Sequence, residues 1–223
     1  RRPPRRGARG CAYAVSAAGR KSRWASALEL LLGAPKAVVE PDHVVHNAAI
    51  SACERGRQWR FAVQLLAGMA REGAEADAVS CSSAASACDK GLQWQGALGL
   101  LRSMRSTRIE GHQMVCNAAV SACDKGLQWE RALGLTAQMP QDGLEPDIVT
   151  HGAAASACSR GSHWVPSLAV LRGLRTCDLE INVVACNAAV SAGGRCLHWD
   201  RALGLHTEMR QDSLRPDEGL FLA

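Results

Sequence analysis

Hydrophobic and polar positions along this chain recur every 35 residues, and tryptophan marks the period most plainly: Trp24, Trp59, Trp94, Trp129, Trp164 and Trp199. Small residues keep the same register. Ser16, Ser51, Ser86, Ser121, Ser156 and Ser191 form one column, and Ala17, Ala52, Ala87, Ala122, Ala157 and Ala192 follow them at once. Met69, Met104, Met139 and Met209 form another, and Pro41-Asp42, Pro146-Asp147 and Pro216-Asp217 close units. A fixed period of this length is the signature of a stacked repeat. The columns set a basic arm at 1–7, six repeats at 8–42, 43–77, 78–112, 113–147, 148–182 and 183–217, and the opening of a further unit at 218–223.

Each repeat reads as two helices. The first, such as Val44 to Arg55, is rich in Ala and ends at Gly56, Gly91, Gly126 or Gly161, where glycine suits a left-handed C-terminal cap. The second runs from the Trp to about the Met, and Trp129, Ala132, Leu133 and Met139 lie near a 3.6-residue stripe. Pro-Asp then breaks the chain. Small first-helix residues let backbones approach while Trp, Leu and Met fill the space between, so each repeat buries its apolar face against the next. The predicted class is all-α: an α-solenoid of helix-turn-helix repeats, twelve helices in one right-handed superhelix, with the Trp column buried between helices. Repeat 1 departs at Lys21 and Ala34. Repeat 5 departs at Pro166, early enough in its helix to be tolerated, and at Ser167 in an Ala column.

Composition narrows this picture. With 47% hydrophobic and 21% charged residues the chain is of ordinary globular type. The net charge of +5 resides in Arg1, Arg2, Arg5, Arg6 and Arg9, which leaves the remainder neutral. A basic surface in the body must therefore come from arrangement. The first acidic residue is Glu29, and the stretch before it fits either an organelle transit segment or a basic arm. No apolar run is long enough for a membrane span. Of ten cysteines, Cys53, Cys88, Cys123 and Cys158 share one column and Cys81, Cys116 and Cys186 another, with no CxxC pair. They read as small buried apolar residues rather than metal ligands, and reduced thiols suit an intracellular compartment.

A period of 35, two helices per unit, the tract Val183-Val184-Ala185-Cys186-Asn187-Ala188-Ala189, Ala202, Leu203, Met209 and the closing Pro216-Asp217 together resemble the pentatricopeptide repeat. Tetratricopeptide units differ in period and in Trp placement. The resemblance covers 8–217. It implies binding of single-stranded RNA at about one base per repeat. A residue early in the first helix and the last residue of the unit would read each base: Asn47 with Asp77, Ser82 with His112, Asn117 with Asp147, Gly152 with Asn182, and Asn187 with Asp217. In the family, Asn with Asp favours uracil, so repeats 2, 4 and 6 would prefer U. Repeats 3 and 5 match no known combination, and repeat 1 has Ala12 with Asp42. The resemblance also implies that Val44, Val79, Met114, Val149 and Val184 sandwich bases.

The residues themselves leave alternatives. An Asn amide offers donor and acceptor to a base edge and Asp can orient it, but Asp also caps helices well. Arg20, Arg55, Lys90, Lys125, Arg160 and Arg195 form one cation per repeat, suited to phosphates or to the helix macrodipole. No HExxH, Gly-Lys-Ser/Thr loop or deaminase signature is present, so neither catalysis nor a cofactor is implied. His46 and His151 share a column where a surface or packing role is expected rather than a metal. The leading expectation is a non-catalytic RNA binder of a chloroplast or mitochondrion, acting in RNA processing, stability, editing or translation. The alternative is a protein-interaction solenoid, and protein partners or effector domains outside this chain fit either reading.

Overall fold

A computed structural model describes residues 13–15, 17–19, 24–33, 43–71, 76–107, 112–176 and 183–195. All secondary structure among the described residues is helical. The chain divides into two compact units, Arg1–Ala122 and Cys123–Ala223. The first holds helices Trp24–Gly33, His43–Arg55, Trp59–Arg71, Ala78–Lys90 and Trp94–Thr107. The second holds Trp129–Gln138, the 3-10 turn Met139–Asp142, Ile148–Arg160, Trp164–Thr176 and Val183–Arg195. His112–Lys125 carries the chain from one unit into the other.

Packing follows one rule inside each unit. The first helix of a repeat packs on its own second helix and on the first helix of the next repeat, as His43–Arg55 does on Trp59–Arg71 and Ala78–Lys90. Ile148–Arg160 does the same with Trp164–Thr176 and Val183–Arg195. Side-chain size explains the arrangement. Ala49, Ala52, Cys53, Ala84, Ala85, Ala87 and Cys88 are fully buried, which only a close-set pair of small-residue helices allows. Met69, Met104 and Met139 fill the core at the far end of the second helices.

The cysteine columns behave as core. Cys53, Cys88, Cys123 and Cys158 are wholly inaccessible, and burial pushes each thiol from 9.0 up to about 11. Pro166 sits in the first turn of Trp164–Thr176, where its missing N–H is not needed. Ser167, in the column that holds Ala62, Ala97 and Ala132, is fully buried, and its hydroxyl has no hydrogen-bond partner among the described residues.

Two expectations are corrected at the turns within repeats 2 to 5, those among the described residues. Positive φ falls not on the glycine but on the residue after it: Arg57 at 55°, Leu92 at 58°, Leu127 at 57° and Ser162 at 59°. Gly91 has φ −85° and Gly161 −76°. Each turn is a Schellman closure, in which Leu92 N–H donates to Asp89 O at 3.1 Å and Gln93 N–H to Cys88 O at 2.8 Å. The same pair of bonds recurs at Arg57 and Gln58, Leu127 and Gln128, and Ser162 and His163. A left-handed non-glycine residue costs about 1–2 kcal/mol, which the satisfied carbonyls offset.

The glycines serve space instead. A Cβ on Gly56 would stand 2.5 Å from Trp24 Cδ1, and one on Gly91 2.7 Å from Trp59 Cδ1. On Gly161 it would meet His163 Cδ2 at 2.9 Å and Trp129 Cδ1 at 3.1 Å. Trp24, Trp59 and Trp129 therefore lie across the turns of the repeats that follow them. The sequence predicts a Trp column buried between helices; Trp24, Trp59, Trp94, Trp129 and Trp164 are partly buried, and Trp199 lies outside the described residues. The stacking of Trp24 on Phe61, with ring centroids 5.5 Å apart, belongs to the same contact.

Candidate nucleic-acid interface

Of the candidate base-reading pairs, Asn47 and Asp77 come together between one first helix and the start of the next. Asp77 is extended, with φ −98° and ψ 173°, and its Oδ1 accepts the Ser80 N–H at 2.7 Å, capping Ala78–Lys90. The same side chain turns back to the first helix of its own repeat, where Asn47 Nδ2 donates to Asp77 Oδ2 at 2.9 Å. Capping and orienting thus coexist in one carboxylate. Asn47 Oδ1 is buried and has no hydrogen-bond partner among the described residues, so its acceptor is unspent. Asp147 caps Ile148–Arg160 likewise, with Oδ1 accepting from Thr150 N and Oγ1 at 2.8 Å each.

Other members of these columns are less alike. Ser82 donates its hydroxyl proton to Val79 O at 3.0 Å on its own helix. Gly152 is buried and offers no side chain. Asn117 and Asn187 are partly buried at the matching helical positions. His112 opens its helix, its side chain lying outside the described residues, as do Ala12, Asp42, Asn182 and Asp217.

One turn before the reading column, large apolar side chains stand in solvent. Val44 is 48% exposed, Val79 57%, Met114 67% and Val149 62%. Val184 occupies the same helical position, its side chain outside the described residues. Isolated exposed valines mean little, but Val44, Val79, Met114 and Val149 hold one fixed place in four successive repeats.

The cation column is differently employed. Arg55, Lys90, Lys125 and Arg160 each sit in the last turn of a first helix, where the macrodipole favours them. Lys90 Nζ meets Glu54 Oε1 at 2.8 Å, and Ser86 Oγ donates to the same oxygen at 2.7 Å. Arg160 Nε stands 3.4 Å from Asp124 Oδ1, an ion-pair contact longer than a hydrogen bond. In both pairs a cation reaches the acid of the preceding repeat, 36 residues back. Arg20 and the side chain of Arg195 lie outside the described residues. The acid column of Glu54, Asp89 and Asp124 stands directly before the cations in the sequence, and only the stacking of repeats shows that Glu54 and Asp124 meet the cation of the next unit.

His46 and His151 are buried, and His151 Nδ1 lies 3.0 Å from Asp147 O, so this column packs the helix. Among the described residues no cluster of His, Cys, Asp or Glu could hold a metal ion, and no helix is long and apolar enough to cross a membrane.

No family model and no curated protein matches the chain. Solved structures do. The maize pentatricopeptide repeat protein PPR10 superposes with a TM-score of 0.71 at 25% identity, over 92% of this chain and 30% of that one. The chain thus spans less than a third of the maize protein. The pentatricopeptide domain of Arabidopsis thaliana protein-only RNase P 1, solved with tRNA, gives 0.65 at 13% identity, over 77% of this chain and 90% of that one. Nuclear proteinaceous RNase P 2 from the same plant gives 0.66 at 12%, over 76% and 38%. Fold and repeat are of the pentatricopeptide type.

Proposed function

We propose that this pentatricopeptide-type chain binds single-stranded RNA and reads it at the N-terminal turns of its first helices. The observation that carries the reading is the Asn47–Asp77 pair: a carboxylate fixed by a helix cap holds an amide whose carbonyl oxygen is unsatisfied. An acceptor and a donor on one oriented amide suit the imino N–H and a carbonyl of uracil. Val44 and Val79, exposed one on each repeat beside that pair, suit the faces of a base. The pentatricopeptide domain solved with tRNA lends RNA as the ligand class.

Uracil is the base we assign to repeats 2, 4 and 6, and the six-repeat division of 8–217 stands as part of the same reading. The role is binding rather than catalysis, in RNA processing, stability, editing or translation. We assign the action to an organelle, on the basic, acid-poor composition of residues 1–28. Lys90 and Arg160, already paired to acids, contribute to phosphate binding only when released, so the salt dependence is expected to be shallow for six cations.

The test is a competition between two RNAs differing only at the base opposite repeat 2. The parent chain is expected to prefer U, and Asn47→Thr to move that preference toward G by about 1 kcal/mol, the low range for one base contact. An equal loss of affinity for both RNAs would make Asn47 a packing residue and overturn the reading.

A further inference from the structure

We propose that Ser80 and Thr150 are positioning residues for the base-facing aspartates, each holding the aspartate three residues before it. The inference rests on the reading of Asp77 and Asp147 just given. Its starting point is a column whose members alternate: Val45, Ser80, Val115 and Thr150, all fully buried. A hydroxyl in a site that valine fills elsewhere is costly to bury without a hydrogen bond. Both hydroxyls find theirs on the preceding aspartate. Ser80 Oγ donates to Asp77 O at 2.8 Å and accepts from Asp77 N–H at 3.0 Å. Thr150 Oγ1 donates straight to the Asp147 carboxylate at 2.8 Å.

Capping alone does not require these bonds. The backbone N–H of Ser80 or Thr150 already satisfies the cap, and it remains whatever side chain stands there. The hydroxyl adds a second constraint, on the aspartate main chain at Ser80 and on the carboxylate itself at Thr150. In repeat 2 the consequence is traceable through atoms: Ser80 holds Asp77, Asp77 Oδ2 holds the Asn47 amide, and that amide presents the open acceptor. A carboxylate held by one bond can rotate about its last torsion, which is broad. The amide it orients would then blur its choice of base. Since Thr150 acts on the carboxylate directly, its loss should be felt more than that of Ser80.

The experiment uses the full chain and RNAs varied one base at a time opposite repeats 2 and 4. Thr150→Val is nearly isosteric, and the sequence already places Val45 three residues after Asp42. It is expected to lower the U preference at repeat 4 by about 3- to 10-fold, the worth of one hydrogen bond. The repeat 2 preference should stay unchanged, and Thr150→Ser should restore the parent value. Ser80→Val should do the reverse, more weakly, at repeat 2. A uniform fall in affinity for all RNAs, accompanied by a lower melting temperature, would make the hydroxyls structural and overturn the inference. Undiminished discrimination in both Val variants would overturn it while leaving base reading intact. A parent chain that discriminates at neither position would remove both.

Discussion

The two ends of one first helix are built to opposite ends. At the C-terminal turn of Ala78–Lys90, its matched end, neighbouring repeats lock together: carbonyls close a Schellman pair, Trp59 covers Gly91, and Lys90 meets Glu54. At its N-terminal turn Val79 stands in solvent, and Asp77, which caps the helix, holds the Asn47 amide of the preceding first helix, whose oxygen has no hydrogen-bond partner among the described residues. On the proposed reading stacking and recognition are segregated along the helix axis, so that residues facing a ligand can vary without loosening the joint between repeats.

The largest expected effect tests the matched end. Gly91→Ala places a Cβ against the Trp59 ring and 3.1 Å from Ala87 O, in a joint with no room to give. Overpacking of this kind costs roughly 1–3 kcal/mol. Gly99, exposed in the interior of Trp94–Thr107, has nothing within 4 Å of its would-be Cβ. Gly99→Ala should therefore stabilise, by up to about 1 kcal/mol. Denaturant midpoints of the two variants should move in opposite directions. A shift of the same sign in both would mean that Trp59 does not define the joint.

Next in size is an alkaline loss of stability that also belongs to the matched end, because Cys53, Cys88, Cys123 and Cys158 supply carbonyls to the Schellman turns. Their folded thiols ionise near 11 and the unfolded ones near 9.0. Between these values the folded state retains more protons, so stability is fully present below the unfolded value and is lost as pH rises through the folded one. The midpoint of denaturation should fall across that window, and less steeply in Cys88→Ala. A flat profile would show that the thiols are reached by solvent.

The sequence carried much of the matched end and little of its mechanism. Trp, Gly, Cys and Met stood in columns that the fold then used, because a repeat imposes one environment on every copy. What periodicity could not say was why glycine recurs: a left-handed cap and a slot under tryptophan leave the same mark, and only the position of Leu92 beyond the glycine separates them. The Asp77 column was legible in both its roles. Ser80 and Thr150 escaped notice because they alternate with valine and so break the column instead of forming one.

The smallest effect is the most discriminating, because it asks whether the two ends are electrically separate. Lys90 is 41% exposed and Glu54 21%, so their pair contributes at most about 1 kcal/mol to stability. Its influence on RNA is a question of which anion Lys90 prefers. Glu54→Gln keeps an amide oxygen to accept the Ser86 hydroxyl and removes only the charge that holds Lys90. A released Lys90 is then available to a phosphate, and each phosphate neutralised on a single strand steepens the salt dependence of binding by roughly 0.7 in log–log slope. Lys90→Met in the parent should leave the slope almost unchanged, since that cation is already engaged with Glu54. The two variants together decide the matter. Were Lys90→Met to flatten the slope by the full increment while Glu54→Gln did nothing, Lys90 would be touching phosphate in spite of its acid, and the segregation of joint from interface would fail at this residue.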